Sequence, residues 1–153
     1  MAKRPFDRLK VVEYGELISA PYYTKLMAGL GAEVIKVEKV GSGDKARGHG
    51  PFPNDIPHHE KSGLFLSLNT NKTGITLNMS KKKGRAIFKR LIETTDVLVE
   101  NNPRGHMESM GLGYDSLKAI NPRLVMVSIT PFGQSGPYRD YKAHHITNGV
   151  ISR

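Results

Sequence analysis

The sequence contains no cysteine. That excludes disulfides, thiolate metal ligands and a cysteine nucleophile, and it is in keeping with a cytoplasmic enzyme. No apolar run approaches the roughly 20 residues needed to span a membrane. The basic start Met1-Ala2-Lys3-Arg4-Pro5 has no apolar stretch behind it, so no signal peptide is expected. Aromatic residues make up only 7%, too few for the interleaved aromatic and basic pattern of a stacking nucleic-acid surface. The glycine spacing G-x-G-x-x-G is missing after the first apolar segment, where residues 15–21 offer a single glycine. A nicotinamide or flavin site is therefore not expected there. No H-E-x-x-H and no histidine pair four residues apart occurs among His49, His58, His59, His106, His144 and His145. Adjacent side chains on a regular element diverge, so the two adjacent histidine pairs do not make a metal site, and no metal is expected.

What is present is a chain of 153 residues, 38% hydrophobic and 24% charged, enough for one domain with its own core. Lys and Arg number 23 against 14 Asp and Glu, a net charge of +9. Such an excess marks either an anionic partner or a well-solvated surface. Nucleic acid and a phosphorylated cofactor are both anionic partners, and the placement of the charges is what separates them. A non-catalytic basic binding domain is the reading from outside the enzymes, with the net charge as its support.

Short apolar, β-branched segments alternate with helical patterns. Residues 9–14 (LKVVEY), 34–38 (VIKVE), 74–78 (GITLN), 96–100 (DVLVE) and 124–129 (LVMVSI) read as strands. Pro21 suits a first helical turn. Tyr23, Leu26, Met27 and Leu30 then recur at i, i+3, i+4 and i+7, which predicts the buried face of a helix ended by Gly31. Ser80 is placed as the N-cap of a second helix with Phe88, Leu91 and Ile92 inward. Short helices are expected around Met107 and over 116–120. Residues 63–68 read equally as strand or helix. The Gly-, Pro- and His-rich stretch 39–62 is too long for an ordinary connection and reads as a functional loop. The alternation predicts an α/β, Rossmann-like, mostly parallel sheet flanked by helices. Ligands of such folds sit beyond the carboxyl ends of the strands, so the segments just after each strand are the ones to inspect.

Two of those segments carry chemistry. In Ser80-Lys81-Lys82-Lys83-Gly84-Arg85 a Ser80 cap would put three lysines into a helical first turn, the end that is already partly positive. A bound phosphate would turn that penalty into attraction, whereas exposed lysines under salt screening would tolerate it. Asn101 and Asn102, after the fourth strand, can hydrogen-bond a ligand or simply build a turn and helix cap.

These stretches resemble the class III CoA-transferase family (formyl-CoA transferase, carnitine CoA-transferase and bile-acid-inducible type). SAPY at 19–22 resembles its helix start, LGAEVIKVE at 30–38 its second strand, and GSGD with Arg47-Gly48 its "GD…RG". NTNK at 69–72, DVLVEN at 96–101, MGLGY at 110–114, NPRL at 121–124 and FGQSGPY at 132–138 match family motifs in the family's order. The resemblance implies transfer of CoA between carboxylic acids through an aspartyl-CoA thioester. Coenzyme A or acyl-CoA is then a substrate, without metal or redox cofactor. Carried over residue by residue, CoA contacts fall on Ile18 and Ser19, on Lys39, on Leu77, Asn78, Met79 and Ser80, on Asn101, Asn102 and Pro103, and on Lys142, Ala143, His144 and His145.

The adenosine phosphates of CoA would account for Lys39 and for the lysines after Ser80. Ile18 departs from the glutamine of the formyl-CoA branch, and Asn102 and Pro103 replace an aromatic and its neighbour. Family members are more than twice as long, form intertwined homodimers and have a second domain. Residues 1–153 are thus expected to be the N-terminal part of the CoA-binding domain, with the nucleophilic aspartate beyond Arg153 and no activity alone. Asp140 precedes that aspartate's position and reads as a loop residue. In the family's racemase branch, an α-methylacyl-CoA racemase-like isomerase, a histidine near the position of His144 moves the α-proton. His144 is therefore either an acid/base or a substrate contact.

Overall fold

Consecutive buried residues in the central strands, pointing alternately to the two sides, give them two buried faces, as a parallel sheet covered by helices on both sides requires. The computed structural model describes residues 4–143, and the strands are β1 (Lys10–Tyr14), β2 (Glu33–Glu38), β3 (Lys72–Thr76), β4 (Val97–Glu100) and β5 (Val125–Ser128). They form one sheet in the order β3-β2-β1-β4-β5, and every pairing is parallel. The register sets Val11 against Val34 on one side and Val97 on the other. The order reverses between β1 and β4, so a crevice opens at the carboxyl ends of those two strands.

The helices are α1 (Ser19–Gly29), α2 (Gly63–Leu68), α3 (Lys82–Ile92), α4 (His106–Ser109) and α5 (Tyr114–Lys118). One face of the sheet packs Val12, Tyr14, Val37 and Leu98 against Phe88 and Ile92 of α3, Met107 of α4, Leu117 of α5 and the loop residue Leu112. Tyr14 and Phe88 meet edge to face with ring centroids 5.7 Å apart. The other face packs Val11, Val34 and Val99 against Ala20, Met27 and Ala28 of α1.

The structure corrects three details of the sequence reading. The inward side of α1 is Ala20, Pro21, Thr24, Met27 and Ala28. Of the expected face only Met27 is buried; Leu26 is 49% exposed, and Tyr23 and Leu30 are exposed too. Small residues let the helix axis lie close to the sheet, and the larger apolar side chains are turned outward. Gly31 ends this helix as expected: it follows Leu30 at φ 107°, its N–H donating to the Ala28 carbonyl and that of Ala32 to the Met27 carbonyl. The third strand lies two residues earlier than its sequence pattern suggests, at Lys72–Thr76. Helix α3 begins at Lys82 after Lys81, not after Ser80, whose hydroxyl donates instead to Asn78 Oδ1 at 2.6 Å. Residues 63–68 are a helix, capped by the Ser62 hydroxyl, which accepts the N–H of Phe65.

Candidate functional site

A cleft of about 1,350 Å³ lies at the carboxyl ends of the strands. Its rim takes residues from the loops after β1, β2, β3 and β4 and from the segment after β5. It brings together Ile18, Ser19, Lys39, Leu77, Asn78, Met79, Ser80, Asn101, Asn102, Pro103 and Ala143, residues that lie as far apart as 125 positions in the chain. Lys142 is exposed and does not line the cleft. His144 and His145 lie outside the described residues.

The geometry adds residues that the sequence reading did not single out: Glu16, Lys45, His49, Arg85, His106 and Thr130. Lys45 and Arg85 sit inside motifs already quoted, but periodicity does not tell which way a loop side chain turns. Lys81, Lys82 and Lys83 do not line the cleft, whereas Arg85, one helical turn further on, does. Arg85 Nη1 donates to the carbonyls of Met79 and Ser80, both at 2.9 Å. The guanidinium thus steadies the loop after β3. Gly84 is required beside it, since an added Cβ would lie 2.0 Å from the carbonyl oxygen of Asn78.

The loop after β1 is held from two sides. Asn101 Oδ1 accepts the N–H of Glu16 at 2.9 Å, and Asn101 Nδ2 donates to the Glu16 carbonyl at 2.8 Å and to Ser19 Oγ at 2.9 Å. The Asn102 amide donates to the Tyr14 carbonyl at 3.0 Å. The two asparagines therefore tie the end of β4 to the end of β1. Gly15 makes the close approach possible, because a Cβ there would come within 2.6 Å of Asn101 Oδ1. From the other side Asp44 Oδ1 accepts the N–H of Leu17 at 2.9 Å and of Ala46 at 2.7 Å. Leu17 is held at φ 66°, a left-handed conformation that a leucine keeps only when its surroundings enforce it.

Asp44 is the outer end of a buried charge network. Its Oδ2 lies 2.7 Å from Lys36 Nζ, which also meets Glu13 Oε1 at 2.6 Å. Glu13 Oε2 accepts the Thr24 hydroxyl at 2.5 Å and Lys72 Nζ at 2.8 Å. Lys72 donates further to the Pro21 carbonyl and to Asn69 Oδ1. Two carboxylates and two ammonium groups balance, as buried charges must. Burial lowers the Lys72 ammonium to about 8, with Glu13 opposing only in part.

The long loop 39–62 is folded back on the end of β2. Arg47 grips Glu38 with Nε at 2.8 Å and Nη2 at 2.9 Å, and its Nη1 reaches Glu60 Oε2 at 2.9 Å. The guanidinium also stacks 3.6 Å from the Phe65 ring centre. Burial pushes the Glu38 carboxyl upward, but the Arg47 hydrogen bonds, the Asp44 N–H and the charges of Arg47 and Lys36 together outweigh it and hold it below its ordinary value. Glu16 behaves likewise: burial raises it, and Lys45 and Lys39 more than offset that. Their ammonium groups lie 2.7 Å and 2.9 Å from its two carboxylate oxygens.

The histidines of this loop serve it locally. His49 Nδ1 is 2.9 Å from the Lys45 carbonyl, and His59 Nε2 is 2.9 Å from that of Ser42. Asp140 forms an exposed pair with Arg104 at 2.9 Å and does not line the cleft.

A family model described as CoA-transferase family III matches residues 6–151. The chain is 42% identical over 141 residues to formyl-CoA:oxalate CoA-transferase of Rhodopseudomonas palustris, covering 92% of this chain and 32% of that protein. It is 41% identical over 140 residues to succinyl-CoA–D-citramalate CoA-transferase of Chloroflexus aurantiacus, covering 90% of this chain and 33% of that one. Among solved structures, a CAIB/BAIF family protein from Brucella suis superposes with a TM-score of 0.86 at 36% identity, over 97% of this chain and 39% of its own. The chain thus spans about a third of the length of the curated relatives it matches.

Proposed function

The chain belongs to CoA-transferase family III, and from that premise we propose that it supplies the CoA-binding surface of an enzyme that moves CoA between carboxylic acids. One observation carries the reading. Eleven residues expected to touch CoA, drawn from every strand end, line a single cleft large enough for an extended cofactor. Leu77, Met79 and Ile18 offer apolar wall to a pantetheine arm, while Lys39, Lys45 and Arg85 offer cations to phosphates. The relatives' names point to small carboxylates, some of them dicarboxylates such as oxalate, as CoA acceptors.

In this reading an aspartate carboxylate attacks the donor thioester, giving a mixed anhydride and the CoA thiolate. The thiolate then attacks the aspartyl carbonyl, forming the aspartyl-CoA thioester and releasing the donor carboxylate, and the acceptor carboxylate takes CoA by the same two exchanges in reverse. Among the described residues no aspartate lines the wide cleft. Asp44 is committed to Lys36 and to two main-chain N–H groups, and Asp140 to Arg104. The covalent step therefore belongs to residues outside 4–143, and we expect the 153-residue chain to bind CoA without turning it over. Dimerisation through an intertwined partner and residence in the cytoplasm are part of the same proposal. Calorimetric titration with CoA tests it, together with an assay for transfer from succinyl-CoA to oxalate. Saturable CoA binding with no product supports the reading, and absence of CoA binding overturns it.

A further inference from the structure

Lys39 and Lys45 are the cations at the cleft mouth best placed for a phosphate, yet both ammonium groups are engaged by Glu16. Glu16 spans them with one carboxylate, Oε1 at 2.9 Å from Lys39 and Oε2 at 2.7 Å from Lys45. Both lysine side chains remain more than half exposed, at 53% and 65%, whereas that of Glu16 is 23% exposed. The ammonium groups are thus reachable from solvent, and the carboxylate sits beneath them.

We infer that Glu16 is an exchangeable counterion, a clasp that holds the two lysines together and yields them to a phosphate of the CoA nucleotide on binding. Three features support this. A phosphate presents two oxygens to a pair of cations much as a carboxylate does, so the spacing that suits Glu16 suits the ligand. The main chain of Glu16 is fixed by Asn101 through both its N–H and its carbonyl, so exchange requires only side-chain rotation and the loop stays in place. Exposed pairs of this kind are individually weak, which is what a contact that must be given up on binding demands. The clasp keeps two like charges from repelling each other in the free protein, and it lowers affinity by the strength of the pairs that must be broken.

This inference rests on the proposed CoA site, and the test separates the two. Wild-type and Glu16→Gln chains are titrated with CoA and with pantetheine, which has no phosphate, with far-UV circular dichroism recorded on each. The clasp predicts that Glu16→Gln binds CoA about three- to tenfold more tightly, two exposed pairs no longer being broken. It predicts unchanged pantetheine affinity, and loss of the gain when Lys39→Gln and Lys45→Gln are added. Glu16→Asp, too short to reach both ammonium groups, should shift CoA affinity in the same direction by less, and it carries the test should Glu16→Gln not fold. Equal or weaker CoA binding by the folded variant overturns the clasp while leaving the CoA site standing, as does an equal gain with pantetheine. Failure of the wild-type chain to bind CoA overturns both.

Discussion

The two faces of the sheet solve the same packing problem with different materials. The face under α3 and α5 is closed by Phe88, Ile92, Leu98, Leu112 and Leu117, all fully buried and apolar. The face under α1 has Val11 and Val34 towards the amino ends of its strands. Towards the carboxyl ends of the strands it changes to Glu13, Lys36, Thr24 and Lys72, joined to Asp44. The apolar face contributes bulk burial, and its upper members Tyr14, Leu77 and Met79 also line the cleft. The charged face reaches through Asp44 to the N–H of Leu17, so its cost in desolvation comes with a fixed conformation for the cleft loop. The difference teaches that buried charge on one side fixes the conformation of the loop after β1, while apolar packing on the other supplies most of the bulk burial.

The largest test of that contrast is Glu13→Gln. It leaves Lys36 and Lys72 with no carboxylate between them, and breaking a buried pair by removing one partner costs about 3–5 kcal/mol. Urea denaturation should show that loss, and CoA affinity at a temperature where the variant is folded should fall as well. On the other face Phe88→Ala should cost about 3–4 kcal/mol through its cavity, yet leave CoA affinity of the folded chain unchanged. Equal effects of both substitutions on CoA affinity would erase the proposed division.

A gentler probe is pH. A lysine in the unfolded chain titrates near 10.4, while burial holds Lys72 at about 8. Between those values the unfolded chain binds a proton that the folded chain has released, so stability should rise with pH across the window. The rise is on the order of 2–3 kcal/mol, flat below about pH 8, and absent in Lys72→Met. Urea midpoints at pH 7.5 and pH 9.5 for both proteins give the answer. The smallest effect is expected at Asp140→Asn, where the pair with Arg104 is fully exposed: the thermal midpoint should not move, and a clear drop would mean that the segment after β5 is tied in more firmly than its contacts indicate.

The sheet was largely legible in the sequence. Segments such as VIKVE and DVLVE are short, β-branched and bounded by turn residues, and the comparison of strand ends led directly to the cleft. The face of α1 was not, because periodicity reports where apolar residues recur and not how near the helix stands to the sheet. Ala20, Thr24 and Ala28 won the interior by being small, and hydropathy ranks all three below Leu26. Ser80 has the composition of a cap, but Asn78 competes for its hydroxyl, a local choice that the helix pattern does not contain. Of the site, residue types after each strand were readable. The burial of Glu13 with Lys36 was not, since an E and a K inside strands look like solvent-facing alternation until the covering helix is in place. Glu16 gave no signal, as its role comes from two lysines 23 and 29 residues further along.

The bonds between Asn101 and Glu16 join residues 85 positions apart, and forming them, like pairing β1 with β4, closes the whole intervening β2-to-α3 segment at an entropic cost. Parallel topology of this kind forms few rewarding local contacts early, so folding is slow relative to helical domains of the same size. We therefore expect the cleft loop to order late in folding. Ligand binding becomes a kinetic marker: fluorescence of a CoA analogue mixed into a refolding reaction should appear only with the slowest native-forming phase, well after helical signal has returned.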